Sequence, residues 1–361
     1  MADLGVTSLF YPARPTLTLD GRERGDLREG LLFLAVEETT DGLFHCEANF
    51  GNWGTRQGEV GFLYPDRRVF DFGHSLKVTM GQGSAQAQIF HGRITALEGR
   101  YPAQRTPELL VLAEDRLQDL RMTRRSRTFE ETTDREVIET IAGEHDLEVE
   151  IDADGPDYPL LAQLNQSDLA FLRERARAMD AELWLEDDTL HVQARARRRS
   201  SEVTLTYGQG LREFQVSADL AQQRTALTVS GWAIDSKEAI AEQADEAAIQ
   251  PELSGGDSGS QLLEGAFGAR VERIVHRVPL SPPEARALAE AHYRHMARRF
   301  VCGQGVAQGD GRIRVGSRLR LKGLGGLFDG PYYVCQVRHT FDAQDGFCTR
   351  FQVERPGLGG N

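Results

Sequence analysis

The sequence predicts a mainly β protein with two related β-barrel domains and a small α+β middle domain. Three observations support this fold class. Short apolar or alternating runs separated by Gly-rich turns dominate residues 1–115 and return after residue 203. Residues 116–202 instead carry helix-start signals and helical apolar spacing. The two β regions also share a short sequence pattern, which predicts a duplication.

Composition limits the classes of function. The chain has 361 residues, enough for two or three domains at roughly 150 residues each. It has 42 Lys and Arg against 55 Asp and Glu, a formal net charge of −13, which disfavours specific nucleic-acid binding. No run of about 18 apolar residues occurs, so no membrane insertion is expected. The four cysteines contain no C-x-x-C pair, which favours reduced thiols and cytoplasmic assembly.

The first β-barrel domain is assigned to residues 1–115. Leu31–Val36 is an apolar run of strand length, and Asp41-Gly42 is a strong hairpin signal. Residues 44–50 then alternate between apolar and polar side chains, as in a half-buried strand. Further strands are expected around residues 76–80, 87–96 and 109–113.

The middle domain is assigned to residues 116–202. Thr133–Glu136 is a capping box, and the apolar residues that follow have helical spacing up to Gly143. A second helix is expected to begin near Ser167. A hairpin over residues 181–192 completes the α/β unit.

The second β-barrel domain is assigned to residues 203–233 and 301–361. The intervening residues 234–300 are predicted to be a helical insertion. Its acidic, Ala-rich stretch 236–250 and a segment starting at Ser281-Pro282 are expected to be helices. Gly/Ser-rich residues at about 252–264 are expected to form a mobile loop.

The shared pattern reads G-x-x-L-x-[VL], a turn, F-x-G and a strand. It occurs in Gly73–Val78 with Phe90–Ile94, and again in Gly316–Leu321 with Phe328–Tyr332. A further strand follows each copy, at residues 108–113 and 347–353. The pattern predicts that the two β regions share one architecture.

Four segments together resemble a known family. They are residues 90–98, the helix at 132–141, the segment Asn165–Arg173 with its N-x-S-D-x-x-F-L pattern, and Gly330–Val334 followed by Arg338-His339. In order and spacing they resemble the phage late control gene D proteins and the hub half of VgrG proteins. The resemblance covers roughly residues 70–200 and 305–355.

The resemblance implies a structural baseplate hub of a contractile tail or contractile injection system. It implies tail-tube-like barrels in a trimeric ring that joins a six-fold tail tube to a three-fold spike. The expected partners are the spike, the tail tube or its initiator, baseplate wedge proteins, and a tape measure or cargo in the lumen. The sequence ends soon after the second barrel, so we expect the spike to be a separate polypeptide. The expected location is the phage tail baseplate or the injection particle after assembly in the cytoplasm.

Metal chemistry has two weak candidates. His292 and His295 share a helix face without an obvious acidic or thiol partner. Cys335 and His339 are expected on one face of a strand near Cys348, but zinc binding needs a fourth ligand and closer cysteines. Buried or partly buried core thiols and a surface or interface histidine pair are the favoured interpretations.

The alternative function is a tail-associated cell-wall hydrolase, which needs two suitably placed carboxylates. The acidic pairs at Glu114-Asp115 and Glu186–Asp188 look solvated, and the Gly323–Gly326 run is interpreted as a turn. The basic run Arg195–Arg199 is interpreted as a solvated domain edge or a contact to an acidic partner protein. We therefore expect no enzyme activity, no catalytic, cofactor-binding or metal-ligating residues, and no cofactor.

Overall fold

The structure is a computed structural model that describes residues 14–56, 58–81, 86–198, 201–233, 236–275 and 279–359. The first β region contains β1 (Thr16–Leu19), β2 (Arg22–Glu23), α1 (Leu27–Gly30), β3 (Leu31–Thr39), β4 (His45–Gly51), β5 (Gly54–Arg56), β6 (Glu59–Gly61), β7 (Ser75–Met80), β8 (Ala87–Arg100) and β9 (Glu108–Glu114). The middle region contains α2 (Leu117–Arg121), β10 (Arg124–Thr133), α3 (Asp134–Gly143), β11 (Glu148–Asp152), β12 (Asp157–Ser167), α4 (Asp168–Ala178), β13 (Ala181–Glu186) and β14 (Thr189–Ala194).

The last region is again mainly β. It contains β15 (Glu202–Tyr207), β16 (Gly210–Ala218), β17 (Ala226–Ala233), β18 (Glu238–Asp245), β19 (Asp257–Ser258), α5 (Gly259–Phe267), β20 (Val271–Ile274), α6 (Pro282–Arg298), β21 (Val301–Gln308), β22 (Arg318–Lys322), β23 (Gly330–Asp342), β24 (Gly346–Arg355) and β25 (Gly357–Leu358). Two short 3-10 turns, Glu246–Ala248 and Gln250–Glu252, follow β18. None of the helices in the described part of the chain has the length and apolar character that a membrane crossing requires.

Six strands of the last region form a closed barrel in the order β23-β22-β15-β16-β21-β24. Pairing of β24 with β23 and a short parallel contact of β15 with β16 close the circle. The alternating apolar residues point inwards, as Val203 and Leu205 on β15 and Leu319 and Leu321 on β22 illustrate. A mainly β fold with a barrel in this region agrees with the prediction.

The first region is a curled sheet in the order β2-β1-β7-β8-β9-β4-β3. It encloses its own apolar core, which includes Leu17, Val36, Phe50 and Val78. Among the described residues, no pairing joins β1 to β3, so closure of this sheet into a second barrel stays a prediction.

The middle region, or middle unit, packs around a separate core. The capping box at Thr133 and Glu136 is present at the start of α3, and the Ser167 side chain accepts a hydrogen bond from the Ala170 amide at the start of α4. Both predicted helix starts are therefore confirmed, because each sequence signal supplies its own local hydrogen bonds.

The acidic stretch 236–250 is not a helix, and that prediction is wrong. Its first part forms β18, which pairs along its whole length with β17, and the rest forms the two 3-10 turns. Tyr293 and other apolar residues of α6 cover this hairpin. Cross-strand pairing and this cover override the helix propensity of Ala and Glu. The predicted loop at 252–264 also contains β19 and the start of α5, which Ser258 caps.

Candidate functional site: the junctions between the units

One antiparallel ribbon of eight strands runs through both β regions, in the order β8-β9-β4-β3-β23-β24-β21-β16. It crosses from one core to the other where Phe33–Thr39 of β3 pairs with Gln336–Asp342 of β23. Leu34 and Phe341 face each other in this pairing and are 1% and 2% exposed. The crossing is therefore part of the folded core.

The two halves of this ribbon repeat the same pairing in detail. The β8–β9 ladder shifts register between Ile94 and Ala96, and the β23–β24 ladder shifts between Val334 and Gln336. A second pair of shifts also matches: one follows Leu31 in the β3–β4 ladder and the other follows the equivalent leucine, Leu211, in the β16–β21 ladder. Two β-bulges at equivalent places are strong evidence for an equivalent strand arrangement.

The pairing corrects the sequence alignment of the repeat. Leu76 lies opposite Gly92, and the equivalent Leu319 lies opposite Tyr332, so Gly92 corresponds to Tyr332 and not to Gly330. The two glycines have different roles. A Cβ at position 92 would lie 2.2 Å from the Glu114 carbonyl oxygen, whereas Gly330 has φ 134° at the start of its strand. Matching one glycine to the other therefore shifted this part of the alignment by two residues.

Polar side chains join β3 and β4 to β23 across the crossing. The Gln336 amide donates to Glu37 at 2.7 Å, and the Arg338 guanidinium donates to Glu37 at 3.1 Å and Glu47 at 3.5 Å. These groups are partly exposed, so each contributes little to stability alone. Together they favour the observed register of β3 against β23.

A buried acid lies beside this crossing. Glu38 is 1% exposed, pairs with Arg314, and accepts a hydrogen bond from the Val315 amide at 3.2 Å. Burial raises the pKa of Glu38, and the Arg314 charge opposes that shift. Through these two contacts, Glu38 links β3 of the first region to the loop before β22.

The middle unit is attached to the barrel by a buried ionic cluster, defined as Arg195, Arg198, Glu182, Tyr333 and Glu354. The Arg198 guanidinium donates to Glu182 at 2.7 Å, and the Tyr333 hydroxyl donates to the same carboxylate. Arg195 pairs with Glu354, and its guanidinium carbon lies 3.8 Å from the centre of the Tyr333 ring. Burial raises the pKa of Tyr333, and the Glu182 charge adds to the shift, so the hydroxyl stays protonated as a donor.

The basic run is therefore not a solvated edge, and that interpretation is wrong for Arg195 and Arg198. Both are under 10% exposed, because Glu182 and Glu354, far away in sequence, supply the opposite charges. Of the arginines in this run that the structure describes, only Arg197 points outwards, with half of its side chain exposed and ion pairs to two aspartates. Arg199 lies outside the described residues.

A second buried pair joins α6 to the middle unit. Arg298 is 3% exposed and contacts Asp180 at 2.6 Å and Glu252 at 2.5 Å. The ion pair with Asp180 therefore links the insertion to the middle unit.

The predicted acidic pairs have structural contacts. Asp115 is 2% exposed, so its predicted solvation is wrong, and it accepts hydrogen bonds from the amides of Phe44 and Leu117 at 2.8 and 2.9 Å. Burial raises the pKa of Asp115 to about 7, and the two amide bonds oppose that shift. In the β13–β14 turn, Asp187 is exposed and lies 2.9 Å from His91, a hydrogen bond that lowers the pKa of this acid.

Two further candidates lie on β23 and in the turn after β22. Cys335 lies at the β-bulge, which interrupts the strand alternation that would put it on the face of His339. His339 is buried and bonds to the Thr349 hydroxyl at 3.0 Å. Within the described ranges, no group of three or more metal-ligating side chains could hold an ion. The Gly323–Gly326 run is a turn, as predicted, and its first two amides bond to Asp329.

Sequence comparison matches residues 56–343 to the family described as Alg8 N-terminal domain. This chain belongs to that family. No curated protein sequence matches it.

Several solved structures share the fold. The 43 kDa tail protein of prophage MuSo2 from Shewanella oneidensis has a TM-score of 0.70 at 12% identity, covering 95% of this chain and 98% of that chain. A tail protein from Neisseria meningitidis MC58 has a TM-score of 0.66 at 14% identity, covering 97% of this chain and 98% of that chain. The E. coli c3393 protein, a type VI secretion component similar to phage T4 tail proteins gp27 and gp5, has a TM-score of 0.55 at 14% identity, covering 94% of this chain and 76% of that chain. At these identities, the likeness is one of fold.

Proposed function

We propose that this protein is the structural baseplate hub of a contractile tail or contractile injection system. The repeated strand pairing carries this proposal: each chain presents two equivalent four-strand units, so three chains present six. Such a trimer meets a six-fold tube on one side and keeps three-fold symmetry for a spike on the other. The fold likeness to phage tail and type VI secretion proteins supports the same role.

The proposal assigns a part to each predicted domain. Residues 1–115, and 203–233 with 301–361, form the two tube-facing barrels. Residues 116–202 and the insertion 234–300 brace them through the ionic contacts described above. The partners are the spike, the tube or its initiator, wedge proteins, and a tape measure or cargo in the lumen.

Cryo-electron microscopy of the particle that contains this chain tests the role directly. We expect three copies between tube and spike, with six similar units facing the tube. Light scattering of a complex of this chain with the spike should give three copies of the 40.2 kDa chain per complex. One, two or six copies at that position would contradict the adapter role.

The proposal is also that the role is not enzymatic. The purified chain should give no clearing of peptidoglycan at any pH between 5 and 8. Clearing that persists after repurification, and that an Asp115→Asn or Asp187→Asn substitution abolishes, would favour the hydrolase instead.

A further inference from the structure

A serine, a histidine and an aspartate form a hydrogen-bonded line at the junction of the first region and the middle unit. The Ser75 hydroxyl lies 3.4 Å from Nε2 of His91, and Nδ1 of the same ring lies 2.9 Å from the Asp187 carboxylate. Each ring nitrogen therefore faces the partner that it faces in a Ser-His-Asp catalytic triad. A loose contact between nucleophile and base is common before a substrate binds.

Two units of the fold supply these residues. In the β7–β8 ladder, Ser75 lies opposite Arg93 and Lys77 lies opposite His91. Ser75 and His91 are therefore diagonal neighbours on one face of the sheet. Asp187 lies in the β13–β14 turn of the middle unit, 96 residues from His91. The arrangement is complete only when the middle unit is docked on the first region.

The aspartate determines which ring nitrogen of His91 carries the proton. A carboxylate only accepts hydrogen bonds, so Nδ1 of the neutral ring donates to Asp187 and Nε2 keeps its lone pair. That lone pair can take the proton of the Ser75 hydroxyl, as a general base for this nucleophile must do. Once the ring is charged, the carboxylate also stabilises it.

The three side chains line one open cleft of about 190 Å³, and four further residues share it: Gly92, Arg93, Arg116 and Asp188. Guanidinium N–H groups on the wall of the cleft can stabilise an oxyanion that forms beside the serine. Both cations have acidic partners, since Arg93 contacts Asp119 at 3.3 Å and Arg116 contacts Asp188 at 2.5 Å. The cleft therefore suits a small uncharged acyl group better than an anion.

We propose that Ser75, His91 and Asp187 form a catalytic triad that hydrolyses small uncharged carboxylic esters. Ser75 Oγ bonds to the acyl carbon while its proton passes to Nε2 of His91, and the ester C–O bond breaks as the alcohol leaves with that proton. Water then releases the acid from acyl-Ser75 by the same proton transfers. This activity goes beyond the proposed hub function. It opens neither the glycan chains nor the peptides of peptidoglycan, so clearing is still not expected.

The exposure of Asp187 limits its contribution as a positioning residue. Its side chain is 62% exposed and that of His91 is 26% exposed, so solvent screens the ion pair that forms when the ring takes the proton. Lys77 lies 3.7 Å from the same carboxylate and competes for its charge. Loss of Asp187 should therefore slow the reaction less than loss of His91.

Labelling with a fluorescent fluorophosphonate, which bonds covalently to activated serines, tests the nucleophile. The full chain should be labelled, and mass spectrometry should place the label on Ser75. Ser75→Ala should lose this label, and His91→Gln should react about 100-fold more slowly, as expected when a general base is removed. The matched controls change an exposed serine, Ser217→Ala, and a histidine that pairs with Glu114, His45→Gln. Both should react like the wild type.

Hydrolysis of p-nitrophenyl acetate gives a second readout. Its rate should rise with pH as His91 is deprotonated, and Ser75→Ala should lower the rate at least about tenfold. Asp187→Asn should slow hydrolysis by about tenfold and move the rise to lower pH, because the charged ring loses its carboxylate partner. A purely structural role of Asp187 would leave the pH profile in place. Label mapping on the wild type decides the question even if a variant is destabilised.

The outcomes separate this proposal from the hub function. A wild-type chain that carries no label on Ser75, or unchanged hydrolysis in His91→Gln, would overturn the triad. Three copies in the complex with the spike, without reaction at Ser75, would leave the hub role standing. Reaction at Ser75 in a complex with another copy number would support the triad and contradict the three-fold hub.

Discussion

Arg197 and Arg198 are adjacent in sequence but differ in environment. Arg198 is 8% exposed, donates to Glu182 and lies 3.8 Å above the Trp184 ring, whereas Arg197 pairs with exposed aspartates. Arg198→Met leaves the Glu182 carboxylate buried without its cation, so we expect a loss of about 3–5 kcal/mol in the free energy of unfolding. Urea denaturation followed by circular dichroism measures it.

Arg197→Met is the matched control for that substitution. It removes only surface ion pairs, so the free energy of unfolding should change by less than about 1 kcal/mol. Equal losses for the two variants would show that the ionic cluster does not hold the middle unit to the barrel.

His339 makes the joint between the halves sensitive to acid. Burial lowers its pKa from 6.5 to about 3, and the Arg314 charge adds to the shift. The folded protein therefore binds this proton only at lower pH than the unfolded chain. The stability contribution is complete above pH 6.5 and is lost as the pH falls towards 3.

His339→Gln should remove this dependence while keeping a hydrogen-bonding side chain. Between pH 7 and about 4.5, the wild type should lose about 2 kcal/mol more unfolding free energy than the variant. Urea unfolding of both proteins at the two pH values gives this difference. If the wild type and His339→Gln lose the same unfolding free energy between the two pH values, another group controls the response to acid.

Some buried charges could have been found from strand alternation. Leu34, Val36 and Glu38 share one face of β3, so the apolar pattern places an acid in the core, where it needs a cation. The partner itself, Arg314, could not be found, because the fold brings it from the far end of the chain. The same limit applies to Arg195 and Arg198, whose partners Glu354 and Glu182 are also distant in sequence.

At the scale of elements, local sequence signals predict the helix starts and strands that local hydrogen bonds and side-chain alternation determine. The caps at Thr133 and Ser167 and the alternation in β4 required no knowledge of the rest of the chain. The stretch 236–250 was different, because its Ala and Glu residues favour a helix in isolation. Its pairing with β17 is a tertiary effect that composition does not reveal.

Gly92 allows β8 and β9 to approach closely beside the bulge. A Cβ there would lie 2.2 Å from the Glu114 carbonyl oxygen and 2.6 Å from the Phe90 ring. Gly92→Ala must therefore push the strands apart, and we expect it to destabilise the protein by about 1–3 kcal/mol. Thermal unfolding measures the change.

Gly61→Ala is the matched control, since a Cβ at that strand position would meet nothing within 4 Å. It should leave the midpoint of thermal unfolding within a degree or two of the wild type. A similar drop for both variants would show that the glycine in the F-x-G pattern is not required for strand approach.

At the scale of the whole molecule, the sequence predicted a repeat but not its register. The order of strands and the shared G-x-x-L pattern were readable, but the two bulges were not, because a bulge is defined only against its partner strand. Aligning glycine with glycine placed Gly92 two residues from its structural equivalent, Tyr332. The correct register matters for assembly, because it determines which exposed residues are equivalent to buried ones.

Tyr101 follows the β8 bulge at the spacing at which Phe341 follows the β23 bulge, yet Tyr101 is 70% exposed and Phe341 is 2% exposed. Phe341→Ala empties a core position, so the single chain should lose about 3–5 kcal/mol in the free energy of unfolding. Tyr101→Ala removes a side chain that one copy leaves exposed, so its unfolding should change by less than about 0.5 kcal/mol. Association of copies should instead weaken by about tenfold or more, as expected when an interface aromatic is removed.

Light scattering over a concentration series, beside urea unfolding, separates these effects. Tyr101→Phe is the control, since it keeps the ring and should associate like the wild type. If Tyr101→Ala lowers the unfolding free energy as much as Phe341→Ala and leaves association unchanged, the tyrosine serves its own chain and the equivalence fails. The opposite result would show that one position of the repeat has two roles: Phe341 packs in the core of its own chain, and Tyr101 contacts another copy.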